Sequence, residues 1–150
     1  MNGFLGTGAT FKADVNLVAQ LAMGVVLIAG TFLARAKRYT AHGICQTAVM
    51  FLNLAMILSI MWPSFDGQVL PALPNHLTDT YYGVGTAHGI LGGVAELFGI
   101  YLALAAGTEV LPRSVRVQRW KIWMRVELGL WWAVILSGAV TYYVWYVQTP

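Results

Sequence analysis

The sequence predicts an all-α integral membrane four-helix bundle with both termini on the outer side. Three observations carry this. Apolar residues make up 58% of the 150-residue chain and charged residues only 10%, against about 25% in a soluble domain. Four apolar runs are each long enough to cross a hydrocarbon core of roughly 30 Å as a helix. Basic residues collect in two of the three connections between those runs.

The first run covers residues 15–34. No basic segment precedes it and no small-residue cleavage pattern ends it, so it reads as a span rather than a signal peptide. The second covers 44–62 and begins two residues after His42. A short link, "RAKR", makes these two antiparallel neighbours. Residues 63–83 follow, with three prolines and several apolar side chains, and read as an ordered outer cap. The third run, 84–106, is interrupted by His88 and Glu96. Pro112 prevents its indefinite extension. The fourth covers 126–147, with Glu127 near its start, and "SVRVQRWKIWMR" before it suggests an interfacial lead-in. Near the N-terminus, "GTGAT" lacks a phosphate-binding context and reads as an exposed extension.

Charge sets the expected orientation. Arg35, Lys37 and Arg38 lie in the first connection; Arg113, Arg116, Arg119, Lys121 and Arg125 lie in or beside the third. The second connection has Asp66 and Asp79 but no lysine or arginine. The positive-inside rule puts the basic connections in the cytoplasm and the termini outside, in a bacterial inner membrane. Basic residues that flank membrane spans, with no recognition fold, do not indicate nucleic-acid binding.

Gly85, Gly89 and Gly93 recur every fourth residue and share one face of the third helix. In lipid, where leaving water drives nothing, such faces let backbones approach closely. They are expected to pack against another helix or a partner subunit. Glu96 is near mid-membrane, where an isolated charge is costly, so it needs a partner or a polar cavity. Asn53 lies at matching depth on the second helix and is the expected hydrogen-bond partner. Glu127 joins these as a third buried polar group. Polar glue within the bundle, a site for quinone, haem or a proton, and contact with another subunit all remain open for this set.

A b-type haem needs axial ligands at one depth. His42 and His88 lie near opposite ends of their helices, about 15 Å or more apart in depth at 1.5 Å per residue. His88 with Met56, or with His76 should the cap fold inward, is the geometry left open. No metal-ligand cluster and no hydrolase, phosphate-binding or metalloprotease motif is present, and the chain reads as non-catalytic. The single cysteine, Cys45, reads as a small apolar residue.

"RAKRYTAHGICQTAVM", "YYGVGTAHGILGGVAELFGIYLAL" and "RWKIWMRVELGLWWAVILSGAVTYY" together resemble a family of four-helix bacterial membrane proteins that includes an assembly factor for a haem–copper cytochrome oxidase. The resemblance runs from about Arg35 to Tyr146. It implies that His42, His88 and Arg125 match positions of the family pattern. Trp120 stands near where many relatives carry another histidine, which weakens the transfer of any role that needs a full histidine set. Three functional expectations follow: a non-catalytic accessory or assembly subunit of a membrane electron-transfer complex, docking other membrane subunits through helix three and 63–83; a haem b or quinone-binding electron carrier; or a purely structural membrane subunit.

Overall fold

A computed structural model describes residues 3–148. Four helical stretches in it are long and apolar enough to cross a membrane, with mean hydropathies of 2.2, 2.0, 1.8 and 1.4 in chain order. This is a multi-pass, all-α membrane protein. The long helices are α1 (Phe11–Arg35), α2 (Tyr39–Met56) with its continuation, α5 (Thr80–Gly107) and α6 (Trp120–Tyr146). They form a ring in which α1 packs on α2, α2 on α5, α5 on α6, and α6 back on α1. Large side chains such as Val25, Phe51, Leu97 and Leu136 face outward. In water that surface would be a liability, whereas beside lipid it costs nothing.

Several element boundaries differ from the sequence expectation, each for a local reason. α1 starts four residues early because Thr10 caps it: its side chain accepts from the backbone N–H of Ala13, satisfying a donor that the first turn leaves orphaned. α2 does not stop at residue 62. A π-helical turn, Ile57–Met61, leads directly into α3 (Trp62–Gln68). Pro63 explains the turn. Proline has no N–H to give the carbonyl four residues back, and its ring presses on that carbonyl. A wider turn immediately upstream, where the Trp62 N–H bonds the Ile57 carbonyl, lets the helix continue past the obstruction. The 63–83 segment is therefore mostly helix. α3 extends the second span, a 3-10 turn (Leu70–Ala72) and α4 (Leu73–His76) reverse the chain, and α5 begins at Thr80.

At the other end, α1 and α2 are joined by a tight turn with Lys37 at φ 59°. α5 ends at Gly107, where Thr108 is extended and its hydroxyl donates to the Leu104 carbonyl at 2.7 Å. The second half of the expected lead-in, from Trp120, proves to be the first turns of α6 itself, while a separate 3-10 turn covers Arg113–Val115.

The N-terminal stretch is exposed at Phe4, Leu5, Gly6 and Gly8, as expected, but it is fastened to the bundle. The Phe4 and Leu5 N–H groups donate to Asp14 Oδ2 at 2.6 and 2.8 Å, Tyr142 O–H donates to Asp14 Oδ1 at 2.5 Å, and Thr7 Oγ1 lies 2.7 Å from the Tyr142 hydroxyl. Gly8 N–H donates to the Tyr146 carbonyl. Asp14 is fully buried. A buried carboxylate needs such donors, and here they fasten residues 3–9 over the ends of α1 and α6.

The apolar core, Met23 and Leu27 of α1, Val49 of α2, and Trp131 and Ile135 of α6, lies between the middle of the bundle and its basic end. Gly24 lets α1 approach α6: a methyl added there would stand 3.3 Å from both Ile135 and Trp132.

Candidate functional site

Between that core and the N-terminal stretch the four helices separate around a cavity of about 440 Å³. Missing side chains create it. Gly85, Gly89, Gly92 and Gly93 of α5 and Gly138 of α6 all line it. The π turn supplies the facing wall through Ile57, Ile60 and Met61, followed by Trp62 and Phe65 of α3. Gly89 and Gly93 are exposed as well as lining, so the cavity opens sideways onto the lipid-facing surface. The volume falls within the range of small-molecule sites, and a mainly apolar lining with a few polar groups is their usual composition.

This changes the role of the glycine face. Only Gly85 is a close-packing residue: an added Cβ would stand 2.5 Å from Trp145 Cζ2. Trp145 is itself fixed, stacked on Tyr81 with ring centroids 5.1 Å apart and donating from Nε1 to the Tyr81 carbonyl at 2.8 Å. At Gly89 the nearest atom would be Phe65 Cε2 at 3.9 Å, and at Gly93 nothing lies within 4 Å. Those two glycines therefore hold space open rather than bring helices together. Small residues at every fourth position serve either purpose, and the sequence pattern alone does not distinguish them.

The polar groups at the cavity come from three helices. Asn16 and Gln20 of α1, Asn53 of α2 and His88 of α5 all line it. Gln20 Nε2 donates to Asn53 Oδ1 at 2.7 Å, and Asn53 Nδ2 donates to Glu96 Oε2 at 2.8 Å. Glu96 thus has the partner its depth demands, and Gln20, which the sequence shows only as a polar residue of the first span, extends the chain to α1. Gln20 is one of two amides a turn apart on α1, with Asn16, and no pattern in the sequence reveals its facing. Gln20, Asn53 and Glu96 are all at least nine-tenths buried, yet Gln20 Oε1, Glu96 Oε1 and, on the neighbouring turn, Asn16 Oδ1 have no hydrogen-bond partner among the described residues. Native interiors rarely leave such atoms unmatched.

Glu127 lies on the basic side of this chain. Its Oε1 accepts from Trp131 Nε1 at 2.7 Å and rests against Gly99, where an added Cβ would be 2.7 Å away. Its Oε2 is also buried without a partner. Glu96 and Glu127 interact electrostatically, so the bundle holds two carboxyl groups in one dry region.

His88 is fitted to α6. Its Nδ1 lies 3.0 Å from Ser137 Oγ, whose hydroxyl donates to the Val134 carbonyl at 3.0 Å. With that hydroxyl hydrogen already committed, Oγ receives Nδ1–H, and Nε2 is left as an acceptor. Gly138 makes room for the ring, since a Cβ there would be 3.0 Å from His88 Cε1.

The other candidate ligands are elsewhere. His76 pairs with Asp79 at 2.9 Å on the exposed turn before α5, and Met56 is buried but does not line the cavity. His42 donates from Nδ1 to the Gly30 carbonyl at 2.8 Å, near Gln46, tying α2 to α1 at the basic end. The structure therefore gathers neither His76 nor Met56 with His88 at the cavity, and His42 is a helix-to-helix tie. Among the described residues no three His, Cys, Asp or Glu side chains are placed to hold a metal ion.

Compared with models of protein families, with curated proteins and with solved structures, the chain matches none.

Proposed function

We propose that this four-helix membrane protein binds a lipid-soluble ring compound of the quinone–quinol class. The observation that carries the reading is the cavity itself: apolar and aromatic over most of its lining, open sideways to lipid, with Gln20, Asn16 and His88 as polar contacts. The aromatic side chains of Trp62, Phe65 and Tyr142 supply flat surfaces for a ring, and the amides and imidazole supply hydrogen bonds to its oxygens. The ligand would enter from the bilayer beside Gly89 and Gly93. By the positive-inside rule the cavity lies in the outer leaflet of a bacterial inner membrane.

This reading is favoured over a docking subunit because the glycine face expected to receive a partner turns partly into the cavity at Gly89 and Gly93. It is favoured over haem because His88 is the one histidine among the lining residues and neither expected second ligand, His76 or Met56, joins it there.

Titration of the purified protein in mild detergent with decylubiquinone, followed by tryptophan fluorescence, tests it. Trp62 and Trp145 line the cavity, so saturable quenching is expected. Gly89→Leu fills the cavity and should abolish it. Gly43→Leu, at an exposed helix position with open space around it, should leave it intact. Quenching that never saturates, or that survives Gly89→Leu unchanged, overturns the assignment.

A further inference from the structure

The Gln20–Asn53–Glu96 chain has a direction, and the direction can reverse. As it stands, Gln20 donates to Asn53 and Asn53 donates to Glu96. This arrangement ends on Glu96 as an acceptor, and it leaves the carbonyl oxygen of Gln20, a residue of the cavity wall, buried without a partner among the described residues. An amide has an accepting and a donating side, exchanged by a half-turn. If Glu96 carries a proton on Oε2, that proton is donated to Asn53 Oδ1 once the Asn53 amide has turned. Asn53 Nδ2 then donates to Gln20 Oε1, and the Gln20 NH2 becomes the group available at the cavity. A proton placed on Oε1 instead would be a buried donor without a partner, which costs about 1–3 kcal/mol. Reversal instead moves the spare donor to the Gln20 NH2, where a ligand carbonyl can accept from it, so protonation on Oε2 with the whole chain reversed is favoured when such a ligand is bound.

Resting on the quinone–quinol reading above, we infer that Glu96, through the two amides, decides which redox form of the ligand the cavity prefers. With Glu96 ionised, Gln20 presents an acceptor, which suits the hydroxyl of a quinol. With Glu96 protonated, Gln20 presents a donor, which suits the carbonyl of a quinone. The ligand keeps all its bonds on binding, and the proton is exchanged between Glu96 and water. Glu96 is a positioning residue: it does not itself line the cavity and acts through the two amides that do. The groups that face it are Asn53 of α2, Gln20 of α1 through Asn53, and Glu127 of α6. Of these only Glu127 titrates, so it shifts the midpoint of the effect without creating it.

Coupling between two such sites is typically 5–150-fold. The ratio of decylubiquinol to decylubiquinone affinity in the intact protein should rise at least about fivefold from acid to alkaline pH. Glu127→Gln should keep that rise with a displaced midpoint. Glu96→Gln should abolish it, and so should Asn53→Leu. Infrared difference spectra of the unaltered protein give a second readout: adding quinone should increase a protonated-carboxyl band, and adding quinol should decrease it. A pH-dependent ratio that persists in Glu96→Gln, or carboxyl bands that ignore the redox form while binding is normal, overturns the relay and leaves the site standing. Absence of binding of either form to the unaltered protein removes the site and the relay together.

Discussion

Alanine at each of the three evenly spaced glycines of α5 separates close packing from cavity formation. Glycine inside a helix is less favourable than alanine by about 0.8–1.0 kcal/mol, so Gly93→Ala, with nothing within 4 Å of its new methyl, should stabilise by up to about that amount. Gly89→Ala should behave alike, because its methyl meets Phe65 at an ordinary 3.9 Å. Gly85→Ala places a methyl 2.5 Å from Trp145 Cζ2. That ring cannot swing aside without losing both its stack on Tyr81 and its hydrogen bond to the Tyr81 carbonyl. Overpacking of this kind costs about 1–3 kcal/mol, against the same propensity gain. Gly85→Ala should therefore lie about 1–3 kcal/mol below Gly93→Ala, a difference of roughly one to two powers of ten in the unfolding constant. Reversible unfolding in mixed micelles, read by helix content and tryptophan emission, measures it. Equal losses at all three positions would mean one continuous packing face and would refute the cavity wall.

Two further substitutions probe the buried polar groups. Tyr142→Phe removes the hydroxyl that bridges Thr7 and Asp14; it should cost about 0.5–1.5 kcal/mol and speed hydrogen exchange in residues 3–9, and unchanged exchange there would show that the stretch is held by other means. Gly99→Ala pushes against the Glu127 carboxyl, 2.7 Å from the new methyl; loosening its bond from Trp131 should shift the tryptophan emission, while Gly129→Ala, on α6 with open space around it, should not.

Much of the architecture was legible in residue order. The four apolar runs and the gathering of basic residues at two connections follow from residue order, and each run falls, to within a few residues, inside one of the four membrane-length helical stretches. The pairing of Asn53 with Glu96 was also legible, because matched depth on two helices leaves a costly group few partners. The boundaries were less so. The second run ends at 62, yet a π turn carries the helix on through Pro63. "GTGAT" reads as an exposed extension, and nothing in it reveals that Asp14 and Tyr142 fasten the stretch that contains it.

By itself, the sequence determined that lipid surrounds this chain and that Glu96 has to be sheltered, since hydrophobicity and the cost of burying charge are properties of residue types in order. Tertiary structure alone decided that Gln20 completes the chain to Glu96, that His76 and Met56 do not share the cavity lined by His88, and that Gly85 packs while Gly89 and Gly93 leave room. The physical reason is rotational. A helix carries its side chains around a full circle, and which arc meets a neighbour, a cavity or lipid depends on how the other helices lie against it.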